Sequence, residues 1–186
     1  MNDVIYDKTT FVFLDLEETV IQDWSSLEAL TANILKIERY LNGYDIVIPP
    51  LKKGGEETIS PATPILNLRL GLMSWAVWND IDKQRFKAKI QPWLEPLIKR
   101  QFDEDLIFSM TDWARLVREA TGKQLSQDDM FDLFGKPEVL WTLMCKHKMF
   151  YHSTVWLVDD AYEHMLNARS FENDCILQFQ NINRMN

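Results

Sequence analysis

The sequence predicts an α/β fold, a three-layer domain on a mostly parallel sheet. Apolar strand-like runs alternate along the 186 residues with stretches of helical periodicity. Several of those runs stop at polar residues, as strands do where they leave a buried sheet. Hydrophobic residues make up 46% of the chain, with seven Trp and ten Phe, enough to bury a sizeable core. Residues 1–186 read as one domain carrying a small loop or hairpin insertion at about 43–64.

The first strand, about Thr10–Leu16, lies at the start of FVFLDLEETV (11–20), where four apolar residues run into Asp15, Glu17 and Glu18. Ser25 and Ser26 are candidate N-caps for a helix in which Leu27, Leu30, Ile34, Ile37 and Leu41 recur at helical spacing. The following NGYDIVIPPLKKGGEETISPATP is dense in Pro and Gly and reads as the insertion. ILNLRLGLMS is a second strand ending at Ser74, and a helical region covers 80–100, where Pro92 and Pro96 should break or kink it. DLIFS (105–109) is a third strand, followed by helical segments near 111–121, 127–134 and 137–148. TVWLVDD (154–160) is a fourth strand that stops at carboxylates. A helix near 161–169 and the strand CILQF (175–179) complete the alternation.

Charge and composition exclude several classes. With 28 acidic against 20 basic side chains the net charge is −8, so nucleic acid is not a favoured partner, since affinity for phosphate backbones rests on Lys and Arg. The two cysteines, Cys145 and Cys175, have no metal-ligand spacing and read as reduced thiols. MNDVIYDKTT lacks the regions of a signal peptide, and no apolar run is long enough to span a bilayer. The expected setting is the cytoplasm, without a membrane partner.

In open parallel sheets, sites form beyond the carboxyl ends of strands. The residues falling there are Asp15, Glu17 and Thr19, then Ser74, then Lys136, then Asp159 and Asp160. Clustered carboxylates repel one another unless a proton or cation intervenes, and a hard cation such as Mg²⁺ suits carboxylate oxygens and also neutralises phosphate. A hydroxyl and a lysine add the donors that a phosphoryl group needs. A carboxylate nucleophile beside them describes phosphoryl transfer through an aspartyl-phosphate.

Four stretches, in order, resemble the motifs of the haloacid dehalogenase-like superfamily of Mg²⁺-dependent phosphohydrolases: FLDLEETVI, LRLGLMS, GKPEVL and VWLVDD. The resemblance covers about residues 10–165. It implies a Rossmann-like fold, here with no large cap, because no insertion of cap size interrupts the motifs. It implies Asp15 as nucleophile, Glu17 as general acid and base, and Lys136 holding nucleophile and phosphate. Thr19 supports the turn and Ser74 binds phosphate. Mg²⁺ would be held by Asp15, Glu17 (through its backbone carbonyl), Asp159 and Asp160. The implied function is a phosphatase acting on a phosphorylated substrate: a nucleotide, a small molecule or a phosphoprotein. An open site favours a nucleotide or a phosphate on a macromolecule.

The departure is Glu17, where the family's phosphatases usually carry Asp. The extra methylene moves the carboxyl outward by about 1 Å, and misplacement on that scale costs roughly 10²-fold. A catalytically impaired binding module and a phosphotransferase are therefore the alternatives. Ser109, also at a strand end, rivals Ser74, while Lys123, Lys146 and Lys148 rival Lys136. Asp160 has a second reading as the cap of a following helix. A receiver domain has similar ingredients, but its acidic pair comes first and its lysine last, the reverse of the order here. The tryptophans read as core, except Trp24 just beyond the first motif, which would border the entrance. His147, His152 and His164 read as structural, and Lys52 and Lys53 as solvated.

Overall fold

At the centre of the sheet runs β1 (Thr10–Leu14), in which Phe11 to Leu14 are all buried. The computed structural model describes residues 9–42, 46–48, 58–60, 67–130, 135–151, 153–161, 169–170 and 176–184. A strand covered on both faces needs an unbroken apolar run, which is what TFVFL supplies. Val12 and Leu14 point into one core with Ile34, Ile37 and Leu41 of α1 (Thr31–Leu41), Phe86 of α2 (Asp80–Lys89) and Leu94 of α3 (Gln91–Ile98). Phe11 and Phe13 point into the other, with Trp113 and Leu116 of α4 (Met110–Thr121) and Val139 and Leu143 of α6 (Gly135–Lys146); the short α5 is Gln127–Asp129. Helices thus cover both faces, giving a Rossmann-like three-layer α/β arrangement.

The remaining strands are β2 (Ile46–Ile48), β3 (Thr58–Ser60), β4 (Leu68–Leu72), β5 (Phe102–Ile107), β6 (Thr154–Asp159), β7 (Arg169–Ser170) and β8 (Ile176–Asn181). With β1 these seven make two sheets: the main one has the order β5-β4-β1-β6-β8-β7, and β2 pairs with β3 alone. Within the main sheet β1 lies parallel to β4 and β6, β4 to β5, and β6 to β8, while β7 runs antiparallel on β8. The order places β4 and β5 on one side of β1 and β6 and β8 on the other. The chain therefore reverses its direction of winding between β1 and β6, the place where open parallel sheets set their sites.

Gly71, in mid-strand β4, is required by packing. A Cβ there would lie 2.5 Å from the Phe13 ring and 2.9 Å from Leu106 Cβ. The space is filled by Phe13, whose ring meets Trp113 edge-on at 5.0 Å between centroids.

Several elements differ from the sequence reading. The first helix begins at Thr31, because the Ser25 and Ser26 N–H groups both bond to Asp23 Oδ1 at 2.8 Å, closing a local turn in place of a helix cap. The 80–100 region is two helices that separate at Ile90, ahead of Pro92; Pro92 lies in the first turn of α3, where its missing N–H costs nothing, and Pro96 lies within that helix. Strand β5 starts three residues earlier than expected, at Phe102, since its charged residues Asp103, Glu104 and Asp105 face solvent at the sheet edge. The last strand begins one residue later than expected and runs to Asn181. Antiparallel pairing of β2 with β3 falls inside the predicted insertion, whose other residues lie outside the described ones. Also outside are 131–134, part of a predicted helix, and 162–168, most of the helix expected near 161–169; the end of that stretch contributes to β7. Among the described residues no helix is long and apolar enough to cross a membrane.

Candidate functional site

The pairing that aligns Leu14 with Leu72 on one side and with Val158 on the other fixes what emerges from the three strands. One residue past β1 comes Asp15, two past β4 comes Ser74, and β6 ends in Asp159 with Asp160 behind it. The Asp15 N–H still donates to Val158 C=O at 3.0 Å and Met73 N–H to Leu14 C=O at 2.9 Å, so the sheet ladder holds the site's floor rigid.

Beyond Asp15 the chain curls tightly. The Leu16 carbonyl accepts the N–H groups of Thr19, Val20 and Ile21, and Glu18 takes a left-handed φ of 57°. A non-glycine residue in that region carries strain, which concentrates at functional sites. The curl returns Thr19 beneath Asp15, where its buried Oγ1 lies 3.3 Å from Asp15 Oδ2 and 3.5 Å from Asp160 Oδ1.

Lys136 enters from the first turn of α6. Its buried Nζ lies 2.7 Å from Asp15 Oδ1 and 2.6 Å from Asp159 Oδ2. Burial pushes this ammonium's pKa down, but the two carboxylates outweigh it and hold it above its ordinary value, so the lysine stays charged. Asp15 moves up from the usual carboxylate range, mainly through burial, with the Asp159 charge adding and Lys136 opposing. Asp160 is pushed up to about 7 by burial first, then by the Asp159 charge, a Glu18 hydrogen bond and the Asp15 charge.

Ligand oxygens of Asp15, Asp159 and Asp160 all lie within 4.8 Å of one another. Fully ionised, the three acids face one ammonium and leave two negative charges uncompensated. An all-oxygen carboxylate set with that surplus fits a hard divalent cation such as Mg²⁺. The Glu17 carboxylate is outside this group: its Oε1 accepts the Trp24 N–H at 2.8 Å, and the Trp24 ring carries the Arg85 guanidinium 4.8 Å from its centroid.

The geometry separates the rival residues. Ser74 Oγ is buried without a hydrogen bond of ordinary geometry, yet lies close enough to Asp15 to ease that carboxylate's ionisation slightly. Ser109 is instead the N-cap of α4, bonded reciprocally with Asp112. Lys123, Lys146 and Lys148 are exposed, while Lys136 is buried. Asp159 Oδ1, rather than Asp160, accepts the next free N–H, that of Ala161, at 2.8 Å. His147 pairs with Glu119 at 3.2 Å on the α4–α6 layer; His152, His164, Lys52 and Lys53 lie outside the described residues.

Three neighbours escaped the sequence reading as site residues. Glu18 lies near enough to Asp160 to help raise its pKa, and its place in the acidic run was the available signal. Asn181 Nδ2 donates to the Asp160 carbonyl at 3.0 Å from the end of β8, and only the sheet order reveals that. Trp75, beside Ser74, has its ring centroid 5.9 Å from Lys136 Nζ.

Compared with family models, curated proteins and solved structures, the chain gives no match.

Proposed function

We propose that the protein is a Mg²⁺-dependent, haloacid dehalogenase-like phosphatase that hydrolyses phosphomonoesters through an aspartyl-phosphate on Asp15. The observation that carries this reading is Lys136 Nζ held between Asp15 and Asp159, with the acidic triad on one side and the unpartnered Ser74 hydroxyl near Asp15. Ser74 Oγ, buried beside Asp15 without a hydrogen bond of ordinary geometry, would be satisfied by an incoming phosphate oxygen.

Asp15, Asp159 and Asp160 would hold the cation, together with the Glu17 carbonyl that the resemblance implies. Bound Mg²⁺ would neutralise phosphate charge that the carboxylates would otherwise repel. Lys136 and Ser74 would orient the phosphoryl group for in-line attack by an Asp15 oxygen. As that O–P bond forms, the ester P–O bond breaks and Glu17 protonates the leaving oxygen. A water then attacks the phosphorus, gives its proton to Glu17, and the bond to Asp15 breaks. The ammonium at Lys136 restrains Asp15 before attack and stabilises the charge that spreads over the phosphoryl oxygens.

The Glu17–Trp24 bond supports a second reading, in which Glu17 braces the loop and turnover is lost or diverted to an acceptor other than water. Thermal unfolding with beryllium fluoride, a phosphoryl mimic at a competent aspartate, tests the site apart from turnover. With Mg²⁺ present the midpoint rises for the wild type and stays put for Asp15→Asn. An equal rise in both, or none in either, contradicts an activated Asp15.

A further inference from the structure

Trp75 directly follows Ser74, is only half-buried, and packs its inner side against the α4–α6 core. Its ring centroid lies 5.9 Å from Lys136 Nζ, which is itself 2.7 Å from Asp15. A phosphorus in near-attack position sits about 3–3.5 Å from the Asp15 oxygen. With the ester oxygen turned toward the Trp75 side of Lys136, an aromatic ring joined to it would meet Trp75 at the roughly 4.5–7 Å centroid separation at which rings stack or meet edge-on. A nucleoside monophosphate places a ribose between phosphate and base and carries its ring further off. Around the site stand the carboxylates of Glu17, Glu18 and Asp160, of which Glu18 is exposed; they disfavour a second phosphate on the same ligand.

Resting on the phosphatase reading above, we infer that the site selects aryl phosphomonoesters, with Trp75 as the surface against which the substrate's ring packs. A Trp75 that merely shields the Lys136 ion pair would not distinguish a planar ring from a saturated one of similar size. That difference is the test.

Calorimetric binding of phenylphosphonate, cyclohexylphosphonate and methylphosphonate, with Mg²⁺ present, removes leaving-group reactivity from the comparison. The wild type binds phenylphosphonate tighter than cyclohexylphosphonate by on the order of five-fold, and Trp75→Leu brings the ratio near one. Trp75→Phe keeps a reduced preference and serves if Trp75→Leu does not unfold cooperatively. Equal affinity for the two rings in the wild type, or an unchanged ratio in Trp75→Leu, overturns the aryl assignment while methylphosphonate binding leaves the phosphate site standing. Failure of all three phosphonates to bind overturns the phosphate site and the aryl assignment together.

Discussion

Lys136 Nζ lies 2.7 Å from Asp15 Oδ1, with both side chains buried, although 121 positions of chain separate them. The same ammonium reaches Asp159 at 2.6 Å, so one helix residue ties together the ends of the two central strands. Removing one member of such a cluster leaves buried charge uncompensated, which costs about 3–5 kcal/mol. Lys136→Met should therefore lower the free energy of unfolding in urea by several kcal/mol, and a change below about 1 kcal/mol would show the carboxylates to be solvated or protonated without it.

The raised pKa of Asp160, about 7 against 3.8 for a free side chain, has a definite sign. The folded protein keeps a proton there that the unfolded chain gives up, so this group's contribution to stability is fully present below 3.8 and lost as pH rises through about 7. A cation at the acidic triad needs that proton gone. The Mg²⁺-induced rise in melting midpoint should thus be larger at pH 8 than at pH 6, with proton release on binding visible as a buffer-dependent calorimetric heat. A shift independent of pH would place the cation elsewhere.

Glu17→Gln removes the proposed acid and base together. A good leaving group such as p-nitrophenolate departs without an acid, but water attack on the phosphoenzyme still needs a base. The variant should release p-nitrophenol in a burst of one equivalent per active site, then turn over on the order of 10²-fold or more slower than the wild type. Unchanged steady-state turnover would assign Glu17 to the loop, where its carboxylate meets the Trp24 N–H.

Gly71→Ala tests the core beneath the site. The added Cβ meets the Phe13 ring at 2.5 Å on one side and Leu106 on the other, so the ring must leave its contact with Trp113. Destabilisation of roughly 1–3 kcal/mol is expected in chemical denaturation. A neutral result would mean that the Phe13 ring can move without loss.

The strands nearest the site were legible because each is an inner strand whose last residues are covered on both faces and apolar, so that the carboxylate or hydroxyl that follows marks the end of cover. That is why Asp15, Ser74 and Asp159 could be read from TFVFLD, LRLGLMS and TVWLVD. Strand β5 was read three residues short because an edge strand has a wet side, and Asp103, Glu104 and Asp105 look like a loop. The start of α1 was misplaced because Ser25 and Ser26 suit a helix cap and an Asp23 turn equally well in sequence, and only the tertiary contacts choose. Trp75 is one of seven tryptophans, and although it directly follows Ser74 only the fold shows its ring beside Lys136.

The proposed function requires that Asp15 becomes phosphorylated and turns over in a Mg²⁺-dependent site. The most direct measurement is p-nitrophenyl phosphate hydrolysis by the wild type and Asp15→Asn, each with Mg²⁺ and with the cation chelated. Turnover is expected only for the wild type with Mg²⁺. Turnover that survives in Asp15→Asn, or that persists in the wild type after chelation, would contradict it.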